Sequence, residues 1–245
     1  MFGALLKEEA RMNAAKEREE GREPGKTMVV SIMPCTAKKA EITRPEHFTD
    51  GEQNVDYVLT TTEITRMIQE AGIDLAQVQP EALDMPFGLS SGAGAIFGVT
   101  GGVTEAVLRR LINSSRAEDL EEISFSGIRG VDGIKEAKVN LHGREVKIAV
   151  VNGLHCAEDL LDKMKAGEVH YDFVEVMACK RGCIAGGGQP VPIGPRTKKA
   201  RLEGIYKIDS MAQIKLSNEN PIITEVYAGI LKGKEHKLLH NEMNV

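Results

Sequence analysis

Tryptophan is absent, and aromatic residues make up only 4% of the chain. That composition argues against a stacking platform for bases or sugars. Basic charge is also short: 31 Lys and Arg stand against 36 Asp and Glu, a net charge of −5. No stretch carries the footprint of a nucleic-acid binder. No apolar run approaches the ~20 residues that cross a bilayer, so no membrane span is expected. The opening residues hold no apolar h-region, so no signal peptide is visible and a cytoplasmic location is expected. Cysteine is sparse as well, at Cys35, Cys156, Cys179 and Cys183 in 245 residues. In a chain of this length that is not a disulfide framework; reduced thiols for metal binding or catalysis are the better expectation.

What is present suffices for a core. Apolar residues make 42% and charged residues 27%, which excludes a disordered tail or a collagen-like fibre. Residues 2–20 have helical spacing, with Phe2, Leu5 and Leu6 as a short apolar stripe. Gly21, Pro24 and Gly25 end that helix, so residues 1–26 read as an N-terminal helix and linker. Met28 to Met33 reads as a short buried strand that Pro34 terminates. Tyr57-Val58-Leu59 is another strand. Threonines after it offer an N-cap to a helix bearing Ile64, Met67, Ile68 and Ala71, closed by Gly72.

Gly88, Gly92, Gly94, Gly98, Gly101 and Gly102 crowd together among Phe87, Ile96, Phe97 and Val99. Such density means close backbone approach or unusual dihedrals, not linker. A helix resumes from Val103 to Ile112. Val139 to Leu141 and Val146 to Val151 flank His142-Gly143-Arg144 as a hairpin, with the second strand apolar enough to be central. Leu154 to Met164 is helical and Phe173 to Met177 is a strand. Asn220-Pro221 starts a helix with Ile222, Ile223, Val226, Tyr227, Ile230 and Leu231 on one face. This alternation predicts an α/β fold with twisted, mainly parallel sheets flanked by helices.

Two segments carry chemistry. In Met33-Pro34-Cys35-Thr36-Ala37-Lys38-Lys39, a cysteine follows a strand end, where α/β folds place sites. A buried cysteine followed by two surface lysines is the plain alternative. In the run Glu175 to Pro190, Cys179 and Cys183 would share a face if helical. Soft thiolates select iron–sulfur clusters, zinc or Cu(I). Gly186-Gly187-Gly188 lets backbone N–H groups approach bound sulfur. Met33, Met177 and Phe97 read equally as core residues, and Cys156 as a buried, inert thiol. A structural zinc on three cysteines and a histidine stays open. Gly21 to Thr27 imitates a phosphate loop, but it is one residue short and follows a helix instead of a strand.

Segments 31–46 and 175–190 closely resemble the second and third signature segments of [FeFe] hydrogenases. So do Asp84 to Gly88, Ser91 to Gly98, Thr100 to Ala106, Gly127 to Gly130, Gly133 to Ala137, Arg196 to Tyr206, Glu219 to Pro221 and His236 to His240. The resemblance covers nearly all of the chain and identifies residues 1–245 as the C-terminal part of a hydrogenase catalytic domain. It implies an H-cluster: a [4Fe–4S] cubane joined through a cysteine sulfur to a diiron centre with CO, cyanide and a dithiolate bridge carrying an amine. By motif position, Cys35, Cys179 and Cys183 would ligate the cubane, with Cys183 bridging to the diiron unit. Lys38 would donate to a cyanide. Met33, Met177 and Phe97 would wall the diiron site, and Gly98 would permit close approach. Segments 33–39, 92–98 and 177–188 would converge on the cluster.

The resemblance further implies reversible interconversion of H2 with protons and electrons, and a ferredoxin-like carrier or partner subunit. A non-catalytic iron–sulfur or H2-sensing module is the alternative. The family's first signature segment, with a fourth cubane cysteine and a proton-passing cysteine, has no match here. The expectation is a longer or split enzyme, or a partner chain supplying that segment, with apolar surface left exposed here. Lys180-Arg181 and Ala185 also depart from the family pattern.

Overall fold

In the computed structural model, the residues described are 1–113, 133–141, 143–180, 182–191 and 193–240. Gly127 to Gly130, His142 and Arg181 lie outside them. In chain order the elements are α1 (Phe2–Glu19), β1 (Val30–Met33), α2 (Ala37–Glu41), β2 (Phe48–Thr49), β3 (Glu52–Gln53), β4 (Tyr57–Thr60), α3 (Thr61–Glu70), α4 (Gly92–Ala95), α5 (Gly102–Ile112), β5 (Ile134–Leu141), β6 (Arg144–Asn152), α6 (Leu154–Lys165), β7 (Phe173–Met177), α7 (Pro195–Met211), α8 (Pro221–Ala228) and α9 (Glu235–Leu239). They divide into two units. The first holds Met1–Pro80, Gly187–Pro190 and Ile222–Val245; the second holds Glu81–Gly186 and Val191–Pro221. The architecture is α/β, and its sheets are mixed: β1·β4 and β6·β7 pair in parallel, β2·β3 and β5·β6 antiparallel.

In the first unit β1 and β4 form a two-stranded parallel sheet, in register from Val30 opposite Tyr57 to Met33 opposite Thr60. Parallel strands are normally covered on both faces. Here Val30 is 50% exposed and Ile32 55%, so the expected buried strand is corrected. Val29 and Val58 are buried, while Val30, Ile32 and Tyr57 are each about half exposed.

Helix α1 also departs from its pattern. Leu5 is buried, but Phe2 is exposed and Lys7 is 2% exposed. The Lys7 ammonium lies 2.8 Å from Asp56 and 3.0 Å from Glu52, and donates to the Thr27 carbonyl at 3.1 Å. Burial opposes its charge, yet the two carboxylates raise its pKa above the ordinary lysine value. Helix α8 is shorter than its apolar run. Ile222 and Val226 are buried, whereas Ile223 and Tyr227 are exposed, so the expected single face is corrected. Leu231 and Leu238 are buried, and Lys234 of this C-terminal stretch pairs with Glu8 at 2.5 Å.

The start of α3 is a complete capping box. The Thr60 hydroxyl accepts from the Glu63 N–H at 3.2 Å, and the Glu63 carboxylate accepts from the Thr60 N–H at 2.7 Å.

In the second unit the strand order is β5-β6-β7, so β6 is central, as its apolar run suggested. Its alternation feeds two layers. Ile148 and Val150 pack with Leu108 of α5; Ala149 and Val151 pack with Ala157 and Leu160 of α6. A buried ion cluster locks α5 to α7. Arg109 donates to both Asp209 oxygens at 2.7 Å and to Glu105 at 2.5 Å. Gly92 packs on Asp209 so closely that a Cβ would stand 2.2 Å from its Oδ1.

Two measurements check these contacts. The Thr60 N–H first, then Lys39 and the Thr60 hydroxyl, pull the Glu63 pKa from 4.5 to about 2. The box therefore stabilises fully above the ordinary value and loses that contribution as pH falls toward about 2. An NMR titration of the Glu63 carboxylate is expected to give that low value; a midpoint at the ordinary glutamate value would show that the box does not form. Asp209→Ala leaves Arg109 with one acid fewer in a dry site, and urea unfolding is expected to show a loss of about 3 kcal/mol.

Candidate metal centre

In the first unit, β1 ends at Met33, and Pro34 turns the chain to the half-buried Cys35. Gly188 clips this turn in place. Its N–H donates to the Pro34 carbonyl at 3.0 Å, and its carbonyl accepts from the Thr62 N–H at 2.9 Å and hydroxyl at 3.0 Å. A Cβ on Gly188 would stand 2.9 Å from Thr60 Cβ and 3.0 Å from the Pro34 carbonyl carbon. The N–H of Gly186 goes to the Cys183 carbonyl at 3.0 Å. Two of the three amides that the sequence offered to bound sulfur are thus engaged within the protein, because the turn itself requires them.

The two lysines after Cys35 diverge. Lys39 reaches the Val58 carbonyl and Glu63, both at 3.0 Å. Lys38 donates to both oxygens of Glu41 at 2.6 Å. With Met33, Glu41 and His47, Lys38 lines a cavity of about 290 Å3.

In the second unit, β7 ends at Met177, whose carbonyl accepts from the Gly153 N–H at 2.8 Å. Cys179 follows in a turn, with its carbonyl accepting from the Gly182 N–H at 3.0 Å. Gly182 has a φ of +71°, so Cys179 and Cys183 do not share a helix face. The conditional helical reading is corrected by that backbone. Gly182 rests on Thr100: a Cβ would stand 3.0 Å from Thr100 Oγ1 and 3.2 Å from its backbone N. Cys183 opens a short 3-10 turn, Cys183–Ala185. Next to it, Ile184 is buried with Ile96 and Val99, and its carbonyl accepts from Arg201 at 2.8 Å. This plug and the glycine seat set the Cys183 turn against the Ile96–Gly98 turn.

Phe97 is half exposed and walls a largely apolar cavity of about 300 Å3 with Ala93, Ala106, Val107 and Leu111. A Cβ on Gly98 would meet only the end methyl of Ile205, at 2.9 Å. Cys156 packs beside Ala157 and Leu160 on α6. None of Cys35, Cys156, Cys179 and Cys183 is in a disulfide, and each is half-buried. Segment 33–39 lies in the first unit with Gly187 and Gly188, while 92–98 and 177–186 lie in the second. Among the described residues, no three side chains of His, Cys, Asp or Glu gather to hold a single metal ion. Sequence reasoning missed Glu41, His47 and Glu175. The last has a legible signal, a lone acid inside an apolar strand.

Known proteins place the chain further. Residues 1–187 match the family profile described as iron only hydrogenase large subunit, C-terminal domain, and residues 195–242 that of the iron hydrogenase small subunit. The NADP-reducing hydrogenase subunit HndD of Solidesulfovibrio fructosivorans is 42% identical over 245 residues, covering 98% of this chain and 41% of the relative. Cytosolic iron-sulfur assembly component 3 of Mus musculus is 32% identical over 233 residues, covering 89% of this chain and 48% of the relative. A solved variant of the [FeFe]-hydrogenase HydA1 from Chlamydomonas reinhardtii superposes with a TM-score of 0.71 at 32% identity, over 98% of this chain and 68% of that one. The chain spans less than half the length of these two curated relatives. Among the described residues no helix is long and apolar enough to cross a membrane.

The glycine contacts predict an order of tolerance. Gly188→Ala pushes a methyl into Thr60 and the Pro34 backbone and is expected to cost about 1–3 kcal/mol. Gly98→Ala meets a methyl that can swing aside and is expected to cost less. Thermal unfolding of both variants checks this; equal losses would contradict the packing described.

Proposed function

This chain belongs to the iron-only hydrogenase family, and from that premise we propose that it forms the H-cluster-bearing part of an [FeFe] hydrogenase, interconverting H2 with protons and electrons. The observation that carries the reading is the seat of Gly182 on Thr100, which sets the Cys183 turn against Phe97 and Gly98. Cys35, Cys179 and Cys183 would hold a [4Fe–4S] cubane, with Cys183 bridging to the diiron centre with its CO, cyanide and dithiolate ligands. A fourth cubane ligand would come from outside these 245 residues. The donor set fits the group: three half-buried cysteines outside any disulfide offer soft sulfur ligands of the kind iron–sulfur clusters take, and Met33 and Met177 lie two residues before Cys35 and Cys179.

When bound, the group supplies a metal site that polarises H2 and exchanges electrons. The residues of the chain position and tune. The Lys38 ammonium has three N–H donors. Glu41 engages it on one side, leaving donor capacity for an anionic ligand such as cyanide. Gly98 leaves room beside it for a bulky group, since only a mobile methyl lies where its Cβ would be. Met33 and Met177 close the strand ends with apolar, polarisable side chains, and Phe97 adds an apolar wall. Electrons would pass to a ferredoxin-like carrier or a partner subunit.

A second reading has its own support. The mouse relative is named for iron–sulfur assembly, at 32% identity over 89% of this chain. In that reading the cysteines would hold an iron–sulfur cluster without H2 chemistry.

Infrared spectroscopy after anaerobic cubane reconstitution and loading with a diiron precursor separates the two. CO and cyanide bands are expected from the hydrogenase reading, and iron without such bands from the other. Cys183→Ser is expected to abolish diiron binding, while Cys156→Ser leaves it intact. The reverse pattern in iron analysis would overturn the ligand assignment.

A further inference from the structure

The seat under Gly182 has a chemical side as well as a steric one. Thr100 is only 2% exposed. Its hydroxyl oxygen accepts from Asn152 Nδ2 at 3.1 Å. A hydroxyl also has one hydrogen to donate, and this one meets no acceptor among the described residues. Buried donors are normally paired, so each exception asks for an explanation.

The neighbours of that hydroxyl are fixed. Asn152 ends β6, opposite Met177 at the end of the parallel strand β7, and ligands of α/β folds gather at such carboxyl ends. The residue after Thr100 is tied by the Gly101 N–H to Glu175 at 2.8 Å. Because residue 182 has no side chain, the Thr100 hydroxyl lies against the turn that leads into Cys183; a Cβ there would stand 3.0 Å from Oγ1. The polar groups of Gly182 are already engaged. Its N–H donates to the Cys179 carbonyl at 3.0 Å, and its carbonyl accepts from the Ala185 N–H at 3.2 Å. The acceptor that a bound cluster adds to this turn is sulfur.

We propose that the Thr100 hydroxyl donates a hydrogen bond to the Cys183 sulfur when that sulfur is bound to iron, and thereby raises the reduction potential of the cubane. The inference rests on Cys183 as a cluster ligand, which the hydrogenase reading and the iron–sulfur reading share. An iron-bound thiolate is an anionic acceptor, and hydrogen bonds to ionised groups are the strong ones. Reduction adds negative charge to the cluster, so a donor at its sulfur stabilises the reduced state more than the oxidised one. The Asn152 amide polarises the same hydroxyl and strengthens it as a donor. Thr100 keeps its proton throughout and takes part in no bond that breaks.

The test uses the chain after anaerobic cubane reconstitution, with free thiol present to fill the fourth iron position. Thr100→Val keeps the shape of the side chain and removes the hydroxyl, whereas Thr100→Ser keeps the hydroxyl. In a redox titration followed by electron paramagnetic resonance, Thr100→Val is expected to change the oxidised-to-reduced ratio at a fixed potential by about tenfold, a fall of about 59 mV in the one-electron midpoint. Thr100→Ser is expected to stay near the wild type. A midpoint unmoved by Thr100→Val, or lowered equally by Thr100→Ser, overturns the proposal. Resonance Raman spectroscopy of the wild type needs no variant. The iron–thiolate stretching bands are expected to shift between H2O and D2O, and that shift to shrink in Thr100→Val. Wild-type bands that ignore the solvent overturn the proposal even where the variant fails to fold. A wild type with no cubane signal, or a cubane that Cys183→Ser leaves unchanged, defeats the ligand assignment and this inference with it. A cubane that forms through Cys183 and ignores Thr100 defeats this inference alone.

Discussion

The carboxylate of Glu175 sits on the N-terminus of α5. It accepts from the Gly101 N–H at 2.8 Å and from the N–H and hydroxyl of Thr104 at 2.7 Å. A helix start carries unpaired N–H groups and partial positive charge, and a buried acid needs both. One residue of β7 therefore satisfies the helix and is satisfied by it. The contact fixes where β7 ends relative to α5, and so where the chain enters the Cys179 turn. Further along the same helix, Arg109 is fixed by Asp209 of α7. Helix α5 is thus held near one end by an acid from β7 and toward the other by an acid from α7, and the Ile96–Gly98 turn precedes it directly.

Glycine serves different ends in the two units. At Gly182 the requirement is conformational, a positive φ resting against Thr100. At Gly188 it is steric, since Thr60 and the Pro34 backbone occupy the place of a side chain. At Gly98 neither argument is strong, because φ is ordinary and the neighbour is a methyl that can move. The proposed cofactor gives that glycine a purpose that protein packing does not.

Local pattern carried much of the fold. Tyr57 to Leu59 as a strand, the threonine cap before α3, the hairpin into a central β6 and the strand ending at Met177 all follow from neighbouring residues, and the structure has them. The departures involve distant partners. Lys7 looks solvated on a helical wheel, yet Glu52 and Asp56, far along the chain, supply the charges that let it be buried. Glu175 looks anomalous in an apolar strand until Thr104 is beside it. Val30 and Ile32 look like core, but burial depends on what covers a face, which a single strand does not encode. The cysteines were legible by resemblance. The seat of Gly182 on Thr100 was not, because residues so far apart in the chain leave no local pattern of their contact.

The cysteine turns of the second unit end where they do because little freedom is left to them. Glu175 is tied at one end of the stretch and Ile184 is buried at the other, with Gly182 braced between them. A chain so confined has already given up most of its conformational entropy on folding. Binding a rigid inorganic group would then cost it little further ordering, so the thiols can grip such a group tightly without closing around it.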